Sequence, residues 1–146
     1  MNLYLDTEFN GHGGELMSLA LAGDDGHHFY MELPLPTVIH PWVAENVATK
    51  LHGTPVSKDT FRNQLKLFLT PRSGCTIWAD WPDDFAHLMT AMSGPSYDKS
   101  FMVTCEMRLI ETPEGWPKPA TPHNALSDAI ALMDWHRESG SKHEAR

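Results

Sequence analysis

The sequence has few cysteines, no long apolar run and a shortage of positive charge. Cys75 and Cys105 are the two cysteines in 146 residues, and neither belongs to a Cys-x-x-Cys pair. We therefore expect reduced thiols packed in strands rather than a disulfide framework or a zinc site. No apolar stretch approaches the length needed to span a membrane, and the first residues lack the pattern of a signal peptide. This composition predicts a cytoplasmic protein with no membrane partner.

The charge balance narrows the classes of partner. Lys and Arg number 11 against 19 Asp and Glu, which gives a formal net charge of −8. Proteins that coat long nucleic acids by counterion release are normally basic, so this charge disfavours broad nonspecific binding to duplexes. An acidic site that holds the end of a polyanion through metal ions remains compatible with this charge, and so does an enzyme that acts on a small molecule.

The pattern of apolar residues predicts one α/β domain over residues 1–140 and a polar tail over 141–146. A hydrophobic fraction of 41% in a chain of this length is enough to bury a core. The first three strands, with a turn at Asp24-Asp25-Gly26, indicate a mixed sheet that is antiparallel at its start and flanked by helices. The predicted strands cover 3–9, 15–22, 28–33, 75–79 and 101–105. The predicted helices cover 41–53, 57–71, 82–94 and 124–138, with a proline-rich loop over 111–121.

Two acidic side chains interrupt the first predicted strand. Asp6 and Glu8 are two positions apart in an apolar segment, so they point to the same face. Two like charges in a core are costly unless something cationic neutralises them, and a divalent metal ion is the usual solution. An Asp-x-Glu triplet is a weak signal alone, and its weight depends on acids elsewhere in the chain.

Further acids fall at positions that favour a site. Asp80, Asp83 and Asp84 follow a buried strand where it passes into a helix, the end at which open α/β sheets bind ligands. Asp128 lies in the first turns of the last helix, five residues after His123. If Asn124 is the N-cap, His123 lies on the incoming loop and can reach the same site. The alternatives are that Asp128 only stabilises the helix N-terminus and that His123 is a solvated loop imidazole.

Four carboxylates from three segments, together with one histidine, fit a known chemistry. Carboxylates hold a pair of Mg²⁺ or Mn²⁺ ions about 3.5–4 Å apart, which activate a water and stabilise the leaving oxygen. A mobile histidine suits the transfer of the proton from that water. The residues in this pattern are Asp6, Glu8, Asp84, His123 and Asp128.

These motifs resemble those of the DEDDh superfamily of 3′→5′ exonucleases, which includes the proofreading subunit of bacterial DNA polymerase III, ribonuclease T and oligoribonuclease. The resemblance rests on Asp6-Thr-Glu-Phe, on Asp84 at a strand–helix junction, and on His-x-x-x-x-Asp from 123 to 128. The first motif and the small size are most similar to a compact exoribonuclease subgroup described in mycobacteria. The resemblance implies a ribonuclease-H-like fold, two Mg²⁺ ions, release of nucleoside monophosphates and a homodimer. RNA is the favoured substrate by likeness to the subgroup.

The resemblance also implies roles for these residues. Asp6 would bridge both metal ions, and Asp128 would bind one of them. Glu8 would hold the nucleophilic water, and Asp84 would act largely through the water shell of the second ion. His123 would be the general base.

The sequence departs from the family at the second motif. Asp80 stands where the family has Asn, and Asp83 stands where it has an aromatic residue. The spacing favours Asp84 as the fourth carboxylate, with Asp80 the next candidate and Asp83 also close. Phe9 stands where many members carry Thr.

Aromatic and basic side chains supply candidates for substrate contacts. Phe9 and Trp81 flank the acidic motifs and could stack on bases, and Asp80 is a further substrate candidate. Lys58, Arg62 and Lys66 recur every fourth residue, as either a solvated face or a phosphate rail.

Two other functions compete with an exonuclease. One is a module of the same fold that binds nucleic acid or protein without cleaving it. The other is a ribonuclease-H-like endonuclease, which the pairing of His123 with Asp128 disfavours.

Overall fold

A mixed five-stranded sheet with four helices forms the fold in the computed structural model, which describes residues 1–96, 100–111 and 119–144. The strands are β1 (Asn2–Phe9), β2 (Leu16–Gly23), β3 (His28–Glu32), β4 (Cys75–Ala79) and β5 (Cys105–Leu109). The helices are α1 (Pro41–Asn46), α2 (Lys58–Leu69), α3 (Pro82–Ser93) and α4 (Ala125–Glu144), with 3₁₀ turns at Ala48–Lys50 and Thr70–Arg72.

The strand order is β3-β2-β1-β4-β5. β1 pairs antiparallel with β2, and β2 pairs antiparallel with β3. β4 runs parallel to both β1 and β5. The predicted α/β class and the antiparallel start of the sheet are therefore confirmed.

Alternation along β1 divides its side chains between two helical layers. Leu3 and Leu5 belong to a core that α2 and α3 cover, whereas Tyr4 packs in a second core beneath α4. Asp6 and Glu8 have the same parity as Tyr4, so they point to the α4 face. The sheet thus directs both acids toward the helix that carries Asp128.

The helix predicted over 41–53 is interrupted. α1 ends at Asn46, and a 3₁₀ turn follows at Ala48–Lys50. Val43 and Val47 are both buried, as the spacing indicates. Asn, Val and Thr are weak helix formers, and the bond from the N–H of Lys50 to the carbonyl of Val47 tightens the chain. The single long helix is therefore wrong.

The fifth strand lies one segment later than predicted, at Cys105–Leu109 instead of 101–105. Phe101 and Val103 pack against the first core as irregular chain, which explains why that segment is apolar. The edge strand itself is largely exposed, so it lacks the pattern of a buried strand.

The last helix is longer than predicted. α4 continues to Glu144, so the polar tail expected from residue 141 is helical through 144. One internal glycine costs a helix only about 1 kcal/mol, which does not end it here. The predicted loop 111–121 lies mostly outside the described residues. None of the helices in the described ranges is long and apolar enough to cross a membrane.

Candidate active site and metal centre

The carboxyl ends of β1 and β4 bring three acids to one edge of the sheet. Because these strands are parallel, Asp80 follows β4 close to the end of β1 that carries Asp6 and Glu8. α3 begins at Pro82, and Asp84 lies in its first turn. Asp84 is 2% exposed.

Thr7 anchors the Asp84 carboxylate. Asp84 Oδ1 accepts hydrogen bonds from the backbone N–H of Thr7 at 3.1 Å and from its hydroxyl at 2.6 Å. The other oxygen, Oδ2, is buried and has no partner among the described residues. One oxygen is therefore fixed to β1, and the second is left for a ligand.

The start of α4 positions His123 and Asp128. Asn124 precedes the helix and its Oδ1 accepts from the N–H of Ser127 at 3.2 Å, which confirms the predicted N-cap. His123 has a φ of 62°, a left-handed conformation that is uncommon outside glycine. Its backbone N–H donates to Asp128 Oδ2 at 3.0 Å, so the loop is tied to the acid while the imidazole stays exposed.

Two groups of three carboxylates share Asp6. One contains Asp6, Asp80 and Asp84, and the other contains Asp6, Glu8 and Asp128. Within each group one oxygen of every residue lies within 4.8 Å of the others. The sequence left the choice between Asp84 and Asp80 open, and the fold brings both to Asp6. Asp83 belongs to neither group, and its Oδ2 lies 3.2 Å from His12 Nδ1.

The carboxylates in these groups are hard to ionise. Burial, aided by Asp128 and Asp84, raises the pKa of Glu8 to about 8. Burial raises the pKa of Asp84 to about 7 despite the Thr7 hydrogen bonds, and that of Asp128 to about 6.

Asp6 has the most unfavourable environment for a charge. Its pKa lies well above the ordinary value because of burial and then because of Asp84, Glu8, Asp128 and Asp80. Asp6 Oδ2 is also buried without a hydrogen-bond partner in the described part of the chain. The pKa of Asp80 is likewise raised by burial.

A cavity of about 760 Å³ opens over the two groups. It is lined by acids, aromatic rings and histidines, and no Lys or Arg of the described ranges lines it. Phe9 and Trp81, the two aromatic candidates for substrate contacts, both line it, and Trp81 is 58% exposed. Phe9 also packs on the His87 ring at 4.6 Å between centroids.

The sequence interpretation missed several residues of this cavity. Trp42 is 52% exposed and its ring meets that of His123 edge to face, with centroids 5.3 Å apart. His12 and His40 line the cavity as well. The available signal was the position of Trp42, an aromatic residue beside the buried stripe of Val43 and Val47 rather than on it.

The basic stripe on α2 is not a continuous row. Arg62 Nε donates to the carbonyl of Ala91 at 2.8 Å, near the end of α3, so this guanidinium is engaged inside the fold. Lys58 and Lys66 are exposed. The alternative that this stripe binds phosphates therefore lacks Arg62, its central residue.

Comparison with known proteins gives no support for a function, so a function must be argued from the geometry of the site. No protein-family model matches the chain, and no curated protein matches it.

Proposed function

We propose that this protein is a metal-dependent 3′→5′ exonuclease that releases nucleoside 5′-monophosphates from single-stranded or short RNA or DNA, with RNA favoured. The observation that carries the proposal is the two sets of three acids that both include Asp6, with His123 lining the same cavity. The ribonuclease-H-like fold is part of the same proposal, and the α/β class with acids on the central strand supports it.

The donor set fits hard divalent cations. Buried oxygens of Asp6 and Asp84 lack hydrogen-bond partners among the described residues, and no described Lys or Arg lines the cavity to neutralise them. All-carboxylate sites suit Mg²⁺ or Mn²⁺ rather than zinc. The residues that would hold two ions are Asp6, Glu8, Asp80, Asp84 and Asp128. Bound there, the ions would activate the attacking water and neutralise charge on the leaving oxygen.

His123 is suited to accept the proton from the attacking water. Its backbone is fixed to Asp128, while its exposed ring faces the cavity. Histidine has an unperturbed pKa near neutrality, which matches the requirement for a general base.

The cavity also suits the end of a single strand. The exposed rings of Trp42 and Trp81 can stack on bases, a contact that tolerates any sequence. The lack of Lys and Arg among the described lining residues leaves metal ions as the main anchor for phosphate. This arrangement favours binding of one or a few terminal nucleotides over binding along a strand.

A non-catalytic binding module is the weaker candidate. Such a module gains nothing from three or more buried acids whose pKa values are raised, because their burial without a cation is costly. An endonuclease would use the same acids, but the pairing of His123 with Asp128 disfavours it.

A cleavage assay separates the three functions. Single-stranded RNA and DNA carrying a 5′ label are incubated with Mg²⁺ or Mn²⁺, with EDTA and the Asp6→Asn variant as controls. A ladder that shortens one nucleotide at a time from the 3′ end supports the exonuclease, and internal cuts support an endonuclease. Binding without cleavage under either metal would contradict an enzymatic function.

A further inference from the structure

A buried acid on β3 takes no part in the two carboxylate groups. Glu32 is 4% exposed, and its carboxylate accepts from the Tyr30 hydroxyl at 2.5 Å. It also accepts from the backbone N–H of His52 at 3.1 Å and of Gly53 at 3.0 Å. A Cβ at Gly53 would lie only 3.0–3.2 Å from this carboxyl group, so glycine permits the close approach. Glu32 therefore joins β3 to the chain that follows α1.

The same network reaches the N-cap of α4. Asn124 Nδ2 lies 3.3 Å from both the Tyr30 hydroxyl and the carbonyl of Lys50, and it can donate to each. Its Oδ1 is used by the N–H of Ser127. Every polar atom of this side chain thus has a partner, and the partners lie on three different segments.

The Tyr30 hydroxyl can bond to Glu32 and to Asn124 at the same time. Burial, the bond to Glu32 and the nearby charge of Glu8 all raise the pKa of Tyr30 above its ordinary value. The hydroxyl therefore stays protonated, donates to Glu32 and accepts from Asn124.

Strand register links this network to the acids of β1. Asp6 pairs with Ala20, and Ala20 pairs with Tyr30, so these three side chains form one row across the sheet. The next row on the same face begins at Glu8 and ends at Glu32. Neither Tyr30 nor Glu32 lines the cavity, so any effect of these residues on the site is indirect.

We propose that Tyr30 and Glu32 are positioning residues for the site. They fix Asn124, and Asn124 sets where His123 and Asp128 stand relative to the acids of β1. The left-handed backbone of His123 requires such support, because unusual conformations persist only where the surroundings hold them. The kinetic part of this inference rests on the proposed exonuclease function.

Tyr30→Phe removes the hydroxyl, and Tyr4→Phe is its matched control. Tyr4 also bonds to α4, through His136 at 2.9 Å, but far from the N-cap. We expect Tyr30→Phe to lower kcat by about 10- to 100-fold, as displacement of a reacting group by about 1 Å does. KM should change little, because ground-state binding is not the target. Tyr4→Phe should keep the wild-type kcat even if it lowers stability more.

Asn124→Ser is a second variant outside the core. Serine still caps α4 but is too short to reach Tyr30. It should lose at least as much kcat as Tyr30→Phe, since it also loses the bond to Lys50. The double variant should be no worse than Asn124→Ser alone, because that variant already breaks the bond between Asn124 and Tyr30. Additive losses in the double variant would overturn the proposal.

A structural readout does not depend on activity. The Trp42 and His123 rings, with centroids 5.3 Å apart, should give nuclear Overhauser effects between their protons. These should weaken in Tyr30→Phe and Asn124→Ser and persist in Tyr4→Phe. If the wild-type protein cleaves nothing, the exonuclease proposal fails and this readout alone decides the positioning role. The positioning role would be overturned if the ring contacts were unchanged in both Tyr30→Phe and Asn124→Ser. It would also be overturned if an active Tyr30→Phe protein kept the wild-type kcat.

Discussion

At the scale of single residues, the surroundings decide whether an acid is structural. Asp25 accepts from the N–H of His27 and from Arg72, which hold its pKa below the ordinary value. Asp6 has the opposite environment, with burial and other acids that raise its pKa. A hairpin turn stabilises the charge of the first carboxylate, whereas burial and the neighbouring acids destabilise the charge of the second.

We expect Asp6→Asn to abolish metal-dependent cleavage without destabilising the metal-free protein. The neutral amide has nearly the same shape and removes the repulsion from neighbouring acids. Urea unfolding in EDTA at pH 8 should give an unfolding free energy equal to or above that of the wild type. A clear loss of stability in EDTA would instead indicate that Asp6 has a structural role.

His123→Ala should lower turnover by roughly 10²- to 10⁴-fold, the usual contribution of a general base. The affinity for Mn²⁺ should stay nearly unchanged, because His123 belongs to neither set of acids that could bind the metal. His12→Ala is the control, since this exposed imidazole also lines the cavity. Equal losses in both variants would contradict a specific role for His123.

The sequence could predict which residue types form the site but not which acid lies deepest. The Asp6 and Glu8 alternation and the His123 to Asp128 spacing both rest on local geometry, which a sequence carries. That both Asp84 and Asp80 approach Asp6 depends on the pairing of β1 with β4, a contact between distant segments. Trp42 and His123 are likewise far apart in the sequence, so the contact between their rings is not evident from it.

At the scale of elements, one hydrogen-bonded contact joins β1 to α3. Thr7 donates twice to Asp84, so the first turn of α3 is fixed against the central strand. Thr7→Val keeps the shape and removes the hydroxyl. At pH 8, above the Asp84 pKa of about 7, we expect this change to cost about 1.5–3 kcal/mol, as the loss of a hydrogen bond to a charged group does. Cleavage should fall about 10- to 100-fold, as when a ligand loses its supporting partner.

Thr90→Val on the same helix is the matched control. Among the residues that the structure describes, the Thr90 hydroxyl bonds only to the carbonyl of Ala86, within α3, and it is exposed. The unfolding free energy of the Thr90→Val protein, measured in urea, should stay within about 0.5 kcal/mol of that of the wild type. If Thr7→Val were equally harmless, the contact would not position α3.

Elements with strong internal patterns were predicted well, whereas β5 and α1 were not. α2 and α3 have capping signals and a clear apolar stripe, and both lie where predicted. β5 is an exposed edge strand, so neither burial nor alternation marks it. α1 ends early because weak helix formers follow Asn46, an effect that the regular spacing of Val43 and Val47 conceals.

At the scale of the whole molecule, the site makes stability depend on pH. The pKa of Glu8 is about 8 and that of Asp84 about 7 in the folded protein, while unfolded carboxyls titrate near pH 4. Between these limits the folded state holds more protons than the unfolded state. The stability from these protonated acids is full below about pH 4 and is lost as the pH rises to about 8.

The metal-free protein should therefore lose part of its unfolding free energy between pH 5 and pH 8 because of these acids. His87 and His136, whose pKa values are lowered by burial, act in the opposite direction. The difference between the wild type and Glu8→Gln in EDTA isolates the acid, because both proteins keep these histidines. Saturating Mg²⁺ should remove the loss by binding only the folded state. A Glu8→Gln protein with the same pH slope as the wild type would contradict the assignment.

The most direct test is the anomalous scattering of Mn²⁺ in crystals of the wild-type protein. Two peaks about 3.5–4 Å apart, one on each side of Asp6, are expected for a two-metal centre. The Asp6→Asn crystals should lose both. Strong Mn²⁺ peaks elsewhere with none in bonding distance of Asp6 would contradict the account.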